Sequence, residues 1–550
     1  MSKNLSAQMV TVTEGLISNV SDVLRGPNQA RVLNNVRQLK RGVFTSTQSG
    51  WIKQNANAFN SGAQILEFGV FIDTAGTSTM LFQAGNTLYS YDLVTATGIT
   101  GMTSLATTYA PCMRMFSPYA GGAPIMVYVN GDDEPKKVTS VTTSAVLQIN
   151  GASPGATGAP LPVKTYSKPQ FCEPFLDRMV YARFRGSPTN TFMDVLITNS
   201  GTPGTVTQST PLVATDGGIF TIPAKLGAIT ALKTLKLNNQ TNDQVLIVGC
   251  SAGIAVITGT DATNFQMRIL TDEYGIVSNR AIVTIMNDLF FLATDGIRRF
   301  SGVASNASLL NAAMTFNQQD IIRRINFPQA DKAFASHHRL TQEIEFWFPV
   351  DSSTVCNGCL LANYNTDATT YESVEPIWMT RDGTTVSSMI DFFGIEYGGG
   401  YDGFIQKHHS GNLYDTNPIT FTITPAFMSP GDAMFEMQID HMLVITEGVS
   451  QNFIINSSFF QDMGQGRPMK KVSATPTDFP MQAIVNAGIV LGSWILGSSG
   501  FASGAGVKVI PYRPMGKGRW WEASITGNQS NHAIDFIGIE YKFVPNGAKP

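Results

Sequence analysis

The sequence predicts an all-β chain assembled from hairpins, with few helices. Three observations lead there. Two-strand units punctuated by turn dipeptides recur from about residue 60 to about residue 420, and beyond that point apolar and polar residues alternate in longer runs. Charged residues are 14% of the chain, against roughly 25% in average globular proteins, and the chain holds 51 glycines. A hairpin has to bury one face on a neighbour, so a long series of them builds a β-propeller or a sandwich array. At 550 residues the chain also exceeds the size at which a single core keeps growing, which predicts more than one domain.

The first sixty residues stand apart by charge. Lys3, Arg25, Arg31, Arg37, Lys40, Arg41 and Lys53 face only Glu14 and Asp22. Gly26-Pro27 breaks any helix, and the segment reads as an extended basic arm suited to docking. "MSKNLSAQMVTVTEG" lacks the apolar core of a secretory signal.

The hairpins follow in order. "STMLFQAGNTLYSYDL" (78–93) turns at Gly85-Asn86, and "APIMVYVNGDDEPKKVTS" ends a strand at Asn130-Gly131. "FLDRMVYARFRGSPTNTFMDVLITNSG" (175–201), "DQVLIVGCSAGIAVITGTD" (243–261) and "LFFLATDGIRRFSG" (289–302) repeat the plan. In the last, Phe290–Ala293 and Ile297–Phe300 flank an Asp295-Gly296 turn, which sends Arg298 and Arg299 to opposite faces. "NAAMTFNQQDIIRRIN" (311–326) is the one helix candidate, with Pro328 as its stop. After residue 420, "PITFTITPAFM", "FEMQIDHMLVITEG", "QNFIINSSFF", "GVKVIPYRP", "GRWWEASITG" and "AIDFIGIEYKFVP" predict an antiparallel sandwich. "DFFGIEY" (391–397) and "DFIGIEY" (535–541) differ at one position and read as two strands solving one packing problem. The uncharged stretch 479–507 could span a bilayer by length, but Asn486, Gly488 and Gly492 interrupt it, so two strands joined by a Gly-rich turn at an interface are expected and no membrane span.

Candidate chemistry is thin. The net charge of −3 offers no excess of cations for gripping a phosphate backbone. Five cysteines, an odd number, argue against a disulfide framework and for a reducing site of synthesis. Cys356 and Cys359 form a lone C-x-x-C, read as a hairpin turning at Asn357-Gly358 rather than a metal or redox site. In His337-His338 and His408-His409, adjacent strand residues point to opposite faces, so neither pair offers two rings to one ion. Asp132, Asp133, Glu134, Asp272 and Glu273 sit in turns, and no sequence feature places two of them across a cleft as a glycosidase requires. No phosphate loop or nucleophile elbow is present. No catalytic residue, metal or cofactor is expected.

The series "PNQARVLNNVRQLKRGVF", "LFQAGNTLYSYD", "VYVNGDDEPKKV", "VLIVGCSAGIAVITG", "YGIVSNRAIVTIMNDLFFLATDGIRRFSG" and "YDGFIQKHHSGNLYDTNPITF" resembles the tail nozzle (tail tubular or hub) proteins of short-tailed bacteriophages, over about residues 25–545. That resemblance implies a virion protein made in the host cytoplasm. It implies a β-propeller over 61–420 and a sandwich-like platform over 421–550, in a subunit of a hexameric ring between the portal adaptor and the tail tip. Its partners would be other copies of itself, the adaptor and tail fibres or tip proteins, with double-stranded DNA passing through and not held by sequence. Arg25, Arg31, Arg37, Lys40 and Arg41 of the arm (1–60) are then candidates for docking on an acidic adaptor surface. The rival readings are a receptor-binding adhesin, expected as a trimer with a ligand pocket, and a polysaccharide-degrading propeller enzyme.

Overall fold

In the computed structural model, residues 6–19, 25–26, 28–40, 42–45, 50–119, 121–147, 149–151, 168–185, 191–236, 244–285, 288–301, 310–363, 376–426, 437–447, 453–461, 470–471, 480–483, 508–512, 517–518, 521–527 and 535–545 are described. Among these residues the chain is a β-propeller of seven four-stranded antiparallel blades joined to a two-sheet platform.

Each blade runs outward from its first strand. The seven innermost strands are Ile65–Ile72, Cys112–Phe116, Pro169–Phe175, Ile229–Lys236, Ile282–Ile285, Phe334–His338 and Ser388–Phe392. The seventh strand packs beside the first, which closes the ring. What holds neighbouring blades together is visible in the strand Gln244–Cys250. Its run "VLIVGC" is apolar on both faces: Leu246, Val248 and Cys250 enter a cluster with the third blade, while Val245 and Ile247 enter a cluster with the fifth. The run at 289–293 behaves the same way. Phe290 and Leu292 face the sixth blade, and Leu289, Phe291 and Ala293 face the fourth. A period of two applied to a continuous apolar run buries both sides of the sheet, and each fully buried Leu, Ile or Phe contributes about 1.5–3 kcal/mol.

The hairpin at 288–301 pairs Ala293 with Gly296 around Thr294-Asp295. Gly296 is therefore the first residue of the returning strand, with φ 138°. Arg298 pairs with Asp295 and lies 3.8 Å from the Tyr274 ring centroid, and Arg299 pairs with Asp288, so both guanidiniums serve the blade. Gly85-Asn86 is a two-residue turn, with Ala84 opposite Thr87.

The described residues among the first sixty do not form an arm. Ser6–Val10 pairs with Asp535–Pro545, and Arg37–Lys40 with Val43–Thr45 forms the edge of the same platform sheet. Gln29–Asn34 lies between Ile377–Arg381 of the sixth blade and Phe421–Pro425, so one sheet runs without a break from the propeller into the platform. Trp51–Lys53 pairs with Gln406–His408 as the fourth strand of the seventh blade. Burial explains the discrepancy: Val10, Leu33, Val36 and Phe44 are 0–1% exposed and share one core with Phe421, Ile525, Ile539 and Phe543.

Other expectations also change. Residues 310–313 are the last strand of the fifth blade, only Gln319–Ile322 is α-helical, and Pro328 opens a 3-10 turn, Phe327–Lys332, instead of stopping a helix. Phe348 pairs with Gly358, so the loop is 349–357 and Asn357-Gly358 is not its turn; Asn357 Oδ1 accepts from Val350 N instead. Of the stretch 479–507, the strand Pro480–Ala483 pairs with Phe453–Gln461. The interface element expected over most of the stretch lies outside the described residues. None of the described helices is long and apolar enough to cross a membrane.

Gly50 precedes the closing strand at a spot where a Cβ would fall 2.7 Å from the Leu413 backbone nitrogen and 2.8 Å from the Gly411 oxygen. Backbone cannot rotate away as a side chain can. Gly50→Ala is expected to push the closing strand off its partner and lower stability by roughly 1–3 kcal/mol, read by thermal unfolding against Gly98→Ala, where a Cβ meets only Thr87 Cγ2 at 3.7 Å.

Candidate functional site

Two constellations of polar side chains lie inside the propeller. The first crosses its axis. Glu67 on the first blade's inner strand pairs at 2.6 Å with Arg280, which precedes the fifth blade. These blades are not neighbours, so the bridge spans the channel. Arg280 also donates to the Ser387 carbonyl ahead of the seventh blade, and its own carbonyl accepts from Ala335 N of the sixth. Arg114 of the second blade and Lys233 of the fourth both reach Glu173 of the third, at 2.7 and 3.6 Å. Burial works to push the Glu173 carboxyl up, but Lys233 and Arg114 outweigh it and hold the group below the usual range. At the mouth where the inner strands start is a cavity of about 320 Å³ lined by Arg183, Arg185, Arg280 and Lys332 against Asp331. Arg183 takes a left-handed φ of 57° where the second strand of the third blade bulges.

The second constellation locks the sixth and seventh blades to the platform. Glu343, Glu345 and Glu396 are all 0% exposed, and a buried carboxylate needs partners. Arg37 Nε donates to Glu343 at 2.7 Å, Arg381 Nη1 stands 2.8 Å from Glu345, Trp347 Nε1 donates to Glu345 at 2.7 Å, and Ser336 donates to Glu396. His409 Nε2 lies 2.8 Å from Glu396. The His409 ring stacks on His338 with centroids 4.2 Å apart. His338 Nε2 donates to the Gly394 carbonyl and Nδ1 contacts Thr341 Oγ1, which donates to Glu343. Burial alone would raise the Glu396 carboxyl, yet the His409 contact holds it well below the usual range. Burial drives His408 down to about 3 and lowers His337 and His338 as well.

His337 and His338 are neighbours in one strand, His408 ends another and His409 follows it at φ 55°, and one ring from each pair, His338 and His409, meets across the blade boundary. Sequence reasoning missed this, because nothing local signals which hairpins become neighbours. The donor atoms of His338, Glu343 and His409, and those of Glu345, Glu396 and His409, lie within 4.8 Å of one another. Each of these side chains is already engaged by protein groups, and Arg37 and Arg381 supply positive charge on the spot. The arrangement works as a lock.

The candidate docking residues fare unevenly. Arg37 is 5% exposed in the lock, and Arg25 is 8% exposed with its Nε donating to the Ile17 carbonyl. Both side chains are drawn into the fold, which leaves little of either charge at the surface of the subunit. Arg31 is half-buried on Gln29–Asn34, Lys40 ends the strand Arg37–Lys40, and Arg41 lies outside the described residues. The acidic turns are structural: Asp133 accepts from Asn130 Nδ2 and Ala106 N, and Asp272 pairs with Lys225. Cys356 and Cys359 are free and buried, with thiols pushed up by burial.

No family model and no curated protein matches the chain. Among solved structures, it is similar to the computationally designed Ika8 protein at 14% identity, covering 73% of this chain and 99% of that one with a TM-score of 0.34. The AfRom2 CNH domain matches at 9% identity, 65% and 98% coverage and a TM-score of 0.35. BamB from Moraxella catarrhalis matches at 11% identity, 74% and 96% coverage and a TM-score of 0.35.

Arg37→Met leaves Glu343 buried without its guanidinium and is expected to cost about 3–5 kcal/mol, where an exposed docking residue would shift stability by no more than about 0.5 kcal/mol; chemical denaturation separates the two. The lowered imidazoles set a pH dependence. Below the unfolded imidazole value of about 6.5, the unfolded chain takes up protons that the folded one refuses, so stability is full above that value and falls as pH drops. The loss attributable to His408 is about 2 kcal/mol near pH 5. His408→Gln should flatten the profile of melting temperature between about pH 5 and about pH 7, and an unchanged slope would assign it elsewhere.

Proposed function

We propose that the chain is a tail nozzle subunit of a short-tailed bacteriophage, a structural virion protein that assembles as a hexameric ring between the portal adaptor and the tail tip, retains the packaged genome and conducts it during ejection. The observation that carries this reading is the unbroken sheet running from the sixth blade into the platform. A load applied to one module is transmitted through backbone hydrogen bonds to the other, without a linker to absorb it, as a ring that retains a compressed genome requires. The buried lock at that junction supports the same reading, since its Arg37–Glu343 pair ties platform to propeller.

The bridged axis sets the route. Glu67–Arg280 crosses the propeller's own channel, so the conduit of this proposal is the lumen enclosed between subunits. The formal charge of −3 suits such a lumen, because each neutralised phosphate would add a salt-dependent holding energy. No residue is assigned a catalytic role, and with Arg25 and Arg37 internal, docking on the adaptor falls to other surfaces.

The test is the mass of the purified native protein, by mass photometry, alone and with the adaptor ring of its particle. A closed six-fold ring, or a monomer that becomes six-fold on the adaptor, is the expected result. A stable trimer would overturn it in favour of a receptor-binding adhesin, and a monomer indifferent to the adaptor would overturn it outright.

A further inference from the structure

All five cysteines are free thiols, and two of them meet. Cys112 opens the innermost strand of the second blade and Cys172 sits within that of the third. Their sulfurs are 3.8 Å apart, Cys112 Sγ lies 3.2 Å from the Cys172 carbonyl, and Cys172 Sγ lies 3.7 Å from the Cys112 carbonyl. Both are at most 4% exposed. Cys112 nevertheless lines the mouth cavity and a second axial cavity of about 280 Å³, and its sulfur touches Asn279, which lines both, so the pair lies next to the channel.

The surroundings favour a thiolate at Cys112 and not elsewhere. The Cys172 thiol can donate to it, Asn279 Nδ2 donates at 3.6 Å, and Arg114 stands two residues along the same strand. The Cys172 hydrogen bond, with help from Arg114 and against burial, brings the Cys112 thiol down to about 6, whereas burial pushes Cys250 and Cys356 up to about 12. A nucleophilic thiolate beside a second thiol is the arrangement of a redox-active pair.

We propose that Cys112 and Cys172 form a dithiol that a peroxide admitted through the axial cavity converts to a disulfide joining the second and third blades. The Cys112 thiolate attacks one peroxide oxygen; the O–O bond breaks, hydroxide leaves and is protonated to water, and Cys112 becomes a sulfenic acid. The Cys172 sulfur then attacks the Cys112 sulfur, the S–O bond breaks, and a second water departs with the Cys172 proton. Two thiols and one hydrogen peroxide give one disulfide and two waters. Closing 3.8 Å to a bond of about 2.05 Å asks for side-chain rotation, because the two strands are already in contact. The product adds a covalent staple to a blade boundary otherwise held by packing, hydrogen bonds and the Arg114–Glu173 ion pair.

The test uses the wild-type protein, folded and reduced, treated with hydrogen peroxide, then denatured and alkylated before digestion without reductant. The expected result is two fewer alkylated thiols and a cross-linked pair of peptides carrying Cys112 and Cys172, released by dithiothreitol. In Cys172→Ser, dimedone should trap a sulfenic acid at Cys112. Full alkylation of Cys112 and Cys172 after peroxide overturns the proposal, and so does a disulfide between Cys356 and Cys359 in its place. None of these outcomes depends on the assembly state, so the dithiol and the nozzle reading fail separately.

Discussion

A ring of sheets has to close on itself, and the rest of this structure is arranged around that requirement. The seventh blade has three strands from its own segment, Ser388–Phe392, Ile395–Gly399 and Ile405–His408, and takes its fourth, Trp51–Lys53, from the other end of the chain. Closure therefore depends on a strand that precedes the first blade in sequence. Trp51 Nε1 donates to Thr384 at 2.9 Å and Lys53 pairs with Asp415, so side chains fix the register that the backbone ladder begins. Because closing joins residues some 350 apart, its loop entropy is offset only when the intervening blades are already packed. That makes the clasp a late and cooperative event.

The same logic explains why the platform is woven from both ends of the chain. The residues leading into the closing strand have to be anchored, and Ser6–Val10, Gln29–Asn34 and Arg37–Lys40 are anchored in sheets otherwise built from the C-terminal part. Apolar burial supplies the affinity and the ionic lock supplies discrimination. Replacing a buried ion pair by apolar residues is often neutral, while removing one partner is costly. A register slip of one residue would turn Arg37 away from Glu343 and strand a charge in the core, a far larger penalty than slippage imposes on an apolar strand.

Much of the propeller was legible because its signals are local. Turn dipeptides and apolar runs marked most hairpins from 78 to 301, and the six C-terminal strands fall where alternation put them. What stayed hidden is whatever distant context decides. "DFIGIEY" stays within one strand, Asp535–Pro545, whose register shifts at Ile537 and which runs between partner strands, whereas "DFFGIEY" is a hairpin, with Phe393 and Gly394 both at positive φ and Asp391 accepting from Gly394 N. The shared glycine permits both conformations, and the neighbours choose. The basic arm was misread for the same reason. Charge density alone suggests solvent, but Arg37 meets Glu343, 306 residues away, only after the sheets assemble. The stacking of His338 on His409 is likewise a product of the order in which blades follow one another.

The bridged axis finally constrains how charge should be weighed in a conduit. Of the groups on the inner strands, Glu67 is met across the axis by Arg280, and Glu173 by Arg114 and Lys233 of its neighbouring blades. These charges are spent on one another inside the subunit and contribute little field at a lumen formed between subunits, where solvent and salt screen whatever remains over about 10 Å. On the nozzle reading, friction against DNA is then set by the residues each copy turns toward the ring axis, and the chain's overall balance is only a weak guide to them.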